Sequence, residues 1–221
     1  GGLLFIIVFA VIVTVLMRNI SARRAKSAFR DLARSREYNY SERGDPILAR
    51  AIAAAPGVRE NATITHVFTG ALGERAFTAY QQTHQLNFGH GSIPVNSTVV
   101  SVSGFAWPTV WIEALSRWQR AFRRRRAARD AGLPFENESF RTHFRVTSED
   151  EDFLIVLLTP EVQAFLAQDQ ASAWYLISGR LVLVTRGECN VDQLDLLLDR
   201  LERFLNLVPD ELEYWSDLRR A

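Results

Sequence analysis

The hydrophobic pattern divides the chain into an apolar start and a mixed remainder. Residues Gly1–Met17 form an unbroken apolar run without a charge. At about 1.5 Å of rise per residue, a helix of this length covers roughly 25 Å, close to the ~30 Å hydrocarbon core of a bilayer. Apolar side chains on every face argue against a helix lying flat on a membrane. We predict a transmembrane helix at 1–17, with a buried core helix as the alternative; a cleaved signal peptide fits less well, because the positive charges follow the run.

A basic amphipathic segment follows the apolar run. Arg18, Arg23 and Arg24 come first, and apolar residues recur at helical spacing as far as Glu37. We predict a juxtamembrane helix at 18–37 that contacts anionic lipid headgroups or packs on the body as a solvated stalk. Positive charges collect on the cytoplasmic side of membrane proteins. We therefore expect a single-pass protein of the bacterial inner membrane, with its amino terminus outside and its C-terminal domain in the cytoplasm.

Residues 38–221 predict one soluble α+β domain in which helices cover an antiparallel sheet of five to seven strands. Segment 39–46 is predicted to be a turn-rich break and 82–94 a polar loop. The strands are joined by hairpins and lack the regular alternation with helices that a parallel sheet needs. The first strand starts at Ala62, with Ile64, His66 and Phe68 on one face. Alternation and β-branched runs predict further strands at 75–81, 95–105, 108–115, 140–147, 174–177 and 181–185.

Capping residues mark three helix starts in this domain. Asp45 and Thr159 each precede a proline, which suits the first turn of a helix. Asn190 begins the strongest helix, with Gln193 three residues on as in a capping box. The apolar stripe of this helix consists of Val191, Leu194, Leu197, Leu198, Leu201, Phe204 and Leu205.

Composition excludes several classes of protein. The 26 Lys and Arg residues balance 25 Asp and Glu, which argues against a nucleic-acid-binding protein. The single cysteine, Cys189, excludes an internal disulfide framework and is compatible with a reducing compartment. The richness in Ala and Arg suggests a bacterial genome of high GC content.

One segment has an exceptional charge density. Seven arginines fall between Arg117 and Arg129, in what we predict to be an insertion near 116–131. Trp118 and Phe122 are four residues apart, so that a helix would present both on one face. Such a surface suits anionic lipid or an acidic partner, and a solvated mobile insertion is an equal alternative. The candidate membrane or partner contacts are Arg18, Arg23, Arg24, Trp118, Phe122, Arg123, Arg124, Arg125 and Arg126.

The chain shows no catalytic, cofactor-binding or metal-binding pattern. Its four histidines lack the spacing that converging metal ligands need. Cys189 follows a strand near Arg186, which could lower its pKa, but a small residue in a turn is the better interpretation. The glycines around His90 lack the lysine and helix of a P-loop. We therefore expect no cofactor, no metal and no enzyme activity.

The C-terminal half carries a resemblance. It contains FRTHFRVTSEDEDFLIVLLTPEVQAFL, then the hairpin AWYLISGRLVL, then a leucine-rich helix that ends at LVP. These segments resemble a family of uncharacterised actinobacterial membrane proteins that have N-terminal spans and a cytoplasmic α+β domain of unknown function. The markers are Leu158-Thr159-Pro160, Trp174, Gly179 and Pro209, which concern the fold. The resemblance implies the architecture, and the segment at 117–129 departs from it.

Two functions fit this pattern. The first is a membrane-anchored, non-catalytic accessory or scaffold subunit that docks on a larger bacterial membrane complex, such as a respiratory or another energy-transducing assembly. Its partners would then be the lipid bilayer and that complex. The alternative is a membrane-tethered sensor that binds anionic lipid or an acidic partner through the Arg-rich segment.

Overall fold

The described part of the chain is built on one antiparallel sheet. The computed structural model describes residues 26–89, 91–115, 119, 137–169 and 171–215. Across these ranges the sheet has eight strands in the order β1-β2-β3-β4-β8-β7-β5-β6. The strands are β1 (Asn39–Arg43), β2 (Thr63–Leu72), β3 (Arg75–Phe88), β4 (Gly91–Ser103), β5 (Val110–Ala114), β6 (Phe144–Ser148), β7 (Ser172–Ile177) and β8 (Arg180–Arg186).

Helices pack mainly on one face of the sheet. The first helix, α1, is described over 26–35. The others are α2 (Ile47–Arg50), α3 (Glu138–His143), α4 (Glu151–Leu157), α5 (Pro160–Gln168) and α6 (Val191–Leu207), and a 3₁₀ helix follows at Asp210–Tyr214. The main core lies beneath them, where Trp174 on β7 packs 4.9 Å from Phe204 of α6. A smaller core on the other face joins Ile52 and Val58 to Tyr80 of β3.

The fold class predicted from the sequence is wrong as stated. It combined a transmembrane helix with a sheet of five to seven strands. The described residues instead form an eight-stranded sheet, which dominates this α+β fold. No helix in the described ranges is long and apolar enough to cross a bilayer. The segment to which the span was assigned, 1–17, lies outside the described residues, as does the first part of 18–37. The antiparallel sheet with helices packed on it agrees with the prediction.

Several predicted elements change type. The break predicted at 39–46 contains the edge strand β1, and the polar loop predicted at 82–94 is a continuation of β3 and β4. The strand predicted at 140–147 begins as helix α3, because the Asn137 side chain accepts a hydrogen bond from the amide of Phe140. Local capping therefore outweighs the alternating pattern of this segment.

A bulge in β2 breaks the predicted alternation. His66 has a φ of 51°, and the register with β3 shifts between Thr65 and Phe68. Ile64 consequently joins the smaller core and Phe68 the main core, although they were predicted to share a face. His66 lies beside Phe29 of α1, with ring centroids 4.5 Å apart.

Strand register defines two ends of the sheet. Arg43, Thr65, Gln81, Thr98 and Thr185 are successive partners across five strands. Just past this level the pairing of β3 with β2 and of β4 with β8 stops, and β3 and β4 continue as a two-stranded hairpin. We call this hairpin, at 84–89 and 91–95, the arm, and the end from which it projects the arm end.

The opposite end carries a cleft. Leu72 pairs with Arg75 at the β2–β3 turn, and Ser103 pairs with Arg180. The C-terminal part of α6 and the 3₁₀ helix pack over this end, which we call the cleft end.

Candidate functional site

The arm exposes large apolar side chains. Leu86 is 40%, Phe88 60% and Ile93 58% exposed. Leu86 pairs directly with Ile93, and Phe88 is two residues beyond Leu86. All three therefore lie on one face of the hairpin, since strand side chains alternate with a period of two. The other face is polar, with Gln85, Asn87 and Ser92.

The arm belongs to a stretch without charged residues. No Asp, Glu, Lys or Arg occurs from Ala76 to Ile112, in a chain that is 23% charged overall. Most of this stretch is buried sheet, where charges are costly. The residues of the arm, however, are mostly exposed. Lys or Glu would be the ordinary residues at exposed positions of such a hairpin. The arm is therefore a candidate interaction surface.

The chain enters the described domain at the same end. Lys26 and Arg30, near the start of described helix α1, bind Glu42 of β1 at 2.8 and 2.6 Å. These cations hold the pKa of Glu42 below its ordinary value. Glu42 is adjacent to Arg43, which marks the arm end of the sheet. The first described residues of α1 thus lie at the end from which the arm projects.

The cleft at the opposite end measures about 820 Å³ and has an acidic rim. Arg75 lies inside it, where it donates hydrogen bonds to the Gly104 carbonyl at 2.7 Å and to Glu213 at 2.9 Å. Its guanidinium also stacks 4.4 Å from the centre of the Phe105 ring. These contacts hold the cleft wall together. The other carboxylates that line the cleft are Glu74, Glu202 and Asp210.

A smaller cavity of about 430 Å³ lies over β5 and β7. The hydroxyl of Tyr175 donates a hydrogen bond to Glu113 at 3.3 Å. Burial, and then the neighbouring carboxylate, raise the pKa of Tyr175. The tyrosine is accordingly neutral at physiological pH and acts as a hydrogen-bond donor.

Burial also shifts the pKa values of a histidine and of the cysteine. The Nδ1 atom of His66 and the hydroxyl of Tyr40 share a hydrogen bond of 2.9 Å. Burial lowers the pKa of His66. Burial raises the pKa of Cys189 to about 11. Burial outweighs the hydrogen bond of Thr98, which acts in the opposite direction, and this agrees with the interpretation of Cys189 as a small residue in a turn.

The contact residues predicted from the sequence all lie outside the described residues. They are Arg18, Arg23, Arg24, Trp118, Phe122, Arg123, Arg124, Arg125 and Arg126. Their assignment to lipid or partner binding stays a prediction. What sequence reasoning missed is the arm, which it interpreted as a polar loop; the signal that could have found it is the alternation of Leu86 and Phe88 with Gln85 and Asn87.

The described residues contain no group of three or more His, Cys, Asp or Glu side chains that could hold a metal ion.

The fold is similar to a solved structure, the crystal structure of the mycobacterial trehalose monomycolate transport factor A, TtfA. The sequences are 13% identical, the TM-score is 0.52, and the match covers 85% of this chain and 97% of that one. At this identity the likeness shows the fold alone. The neighbour is an actinobacterial protein, the group that the sequence resemblance had indicated. No family model matches this chain, and no curated protein matches it significantly.

Proposed function

We propose that this chain is a non-catalytic accessory factor of a membrane transport process, acting at the cytoplasmic face of a bacterial inner membrane. The observation that carries the proposal is the fold likeness to a transport factor, which extends over nearly all of that protein's solved chain. A transport assembly therefore becomes a better host than the respiratory one expected from the sequence. The chain would dock on a larger complex of this kind.

The cleft supports a docking role rather than catalysis. Its one lining arginine, Arg75, is already bound to Gly104, Phe105 and Glu213. The exposed carboxylates Glu74 and Asp210 lie at its rim. Cytoplasmic loops of membrane proteins are rich in Lys and Arg, and opposite charges speed and orient association. We assign the cleft to a basic segment of the partner.

Charge reversal at the rim tests this assignment. The tagged full chain would be extracted from host membranes in mild detergent and its partners identified and quantified. We expect one integral membrane protein in stoichiometric amount, and a loss of roughly tenfold in Glu74→Lys/Asp210→Lys, since each reversal removes an attraction and adds a repulsion of about 0.5 kcal/mol each.

The control is Glu60→Lys, an exposed carboxylate outside the cleft. It should retain the partner. Recovery of no membrane protein with the unmodified chain would contradict the docking function, whereas equal recovery with the unmodified chain and both variants would remove only the assignment of the cleft.

A further inference from the structure

We propose that the arm inserts its apolar face into the interfacial region of a lipid bilayer. The inference rests on the proposed membrane location of the chain, and it adds a second contact surface at the end opposite the cleft. Its first support is the shared orientation of Leu86, Phe88 and Ile93, the exposed apolar residues of the arm. Burying such side chains in an apolar phase is favourable.

The lack of charge distinguishes a bilayer from a protein as the occupant. Protein interfaces have a polar rim and are enriched in Arg, whereas a charged side chain is costly in hydrocarbon. The arm has no charged residue on either face. Its polar face, with Gln85, Asn87 and Ser92, is uncharged as well, and amide and hydroxyl groups are suited to the hydrated headgroup layer.

The backbone sets the depth of insertion. Among the described residues, each strand of the arm pairs only with the other beyond Thr83 and Asn96, so its outer backbone groups have no strand partner there. Such groups are not tolerated in the centre of a bilayer. The arm therefore enters the interface with its tip and does not span. Its five residues from His84 to Phe88 cover roughly 17 Å at about 3.4 Å each, which exceeds the ~5–8 Å headgroup layer on one side of a bilayer.

The entry of the chain supports the same orientation. Residues 1–25 connect to α1 at the arm end, where Lys26 and Arg30 bind Glu42. These preceding residues include the uncharged apolar run Gly1–Met17 and three arginines. The cations Lys26 and Arg30 at the arm end, and the acidic cleft at the other end, match what a bilayer with anionic headgroups attracts and repels.

Site-specific fluorescence tests the insertion. The full chain would carry Cys189→Ala and one new cysteine labelled with an environment-sensitive dye, in vesicles of phosphatidylcholine and phosphatidylglycerol. The label goes to Phe88→Cys in one sample and, as a matched control, to Tyr214→Cys, which is 63% exposed at the cleft end. We expect a blue shift and quenching by nitroxide-labelled lipid at position 88 and neither at position 214.

A second label guards against an effect of the probe itself. This label is attached at Ser92→Cys. Nitroxide-labelled lipid should quench it in the otherwise unmodified arm, and the quenching should be lost when Leu86→Ser/Phe88→Ser/Ile93→Ser is added. The exposed position Ile155→Ser is the control that should leave it unchanged.

Three outcomes would overturn the inference. Vesicle-bound chain with a water-exposed label at position 88 would refute arm insertion and leave the membrane location intact. A blue shift without quenching by lipid would show that protein, such as a second copy, covers the arm. A chain that does not float with the vesicles would contradict both the arm inference and the proposed membrane location.

Discussion

At the scale of single residues, His66 couples the bulge in β2 to helix α1. Its ring lies beside Phe29 and Tyr40. Burial lowers the pKa of His66, Lys26 acts in the same direction, and Glu42 opposes them. A neutral His66 is therefore part of the native packing. The bulge places Ile64 and Phe68 of β2 in different cores. Protonation of the His66 ring would therefore destabilise the contact between α1 and the sheet.

The first prediction concerns the pH dependence of stability. In the unfolded chain His66 has its ordinary pKa of 6.5, and in the folded chain the value is lower. The unfolded state therefore binds the proton first, so the free energy of unfolding decreases as the pH falls below about 6.5 and on through the folded value. Urea denaturation from pH 7.5 to 5 would measure this decrease.

The matched variant is His66→Asn. Asparagine tolerates the positive φ at this position and does not titrate. We expect the variant to lack this part of the pH dependence while keeping the fold. Identical pH profiles of the two proteins would contradict the role of His66.

The second prediction concerns the reactivity of Cys189. Its pKa of about 11 leaves little thiolate at pH 8, and the side chain is buried. A thiol reagent should therefore modify the native chain far more slowly than the chain in urea. The rate is followed by the absorbance change of a chromogenic thiol reagent. Equal rates of modification of the native and the urea-unfolded chain would contradict the burial of this thiol.

At the scale of elements, two of the three predicted capping residues were confirmed, whereas α2 has Pro46 at its N-cap and Asp45 accepts a hydrogen bond from the amide of Ile47 at 2.9 Å. Thr159 accepts a hydrogen bond from the amide of Val162, and Asn190 accepts one from Gln193 at 2.8 Å, as their positions predicted. The hairpin of β7 and β8 also lies where the turn at Ser178-Gly179 predicted it. Such signals act over three or four residues and need no tertiary information.

The elements that sequence reasoning missed depend on distant partners. β1 lacks an apolar pattern and becomes a strand because β2 pairs with it. The arm lacks a core to pack on, so the alternation of its exposed residues was not recognised as a strand. The bulge at His66 likewise depends on α1 covering one face of β2. The alternation of Leu86 and Phe88 with Gln85 and Asn87 could have predicted the strands of the arm, but the sequence could not show that its apolar side chains stay exposed.

The third prediction concerns the cap of α6. Asn190→Ala removes the acceptor for the Gln193 amide at the start of the helix that covers the main core. The free energy of unfolding should fall by about 1 kcal/mol, as is typical of a lost N-cap. Asn190→Ser, which keeps an acceptor, should lose less. Denaturation midpoints in urea would measure both, and equal losses would contradict the capping role.

At the scale of the whole molecule, the two ends of the sheet have opposite character. The arm end presents uncharged apolar side chains and the first described residues of α1, and the cleft end is acidic. β4, with its 13 residues, links the two ends. A chain of this kind can contact a bilayer at one end and a partner protein at the other, which is the arrangement we propose for an accessory factor in membrane transport.

The size of the particle in native membranes tests the central claim most directly. The unmodified full chain would be extracted from its host in mild detergent and its mass measured on a native gel, with its neighbours identified. We predict a particle several times larger than the 25.1 kDa chain that contains an integral membrane transport protein. Migration of the chain alone, free of any membrane protein, would contradict the account.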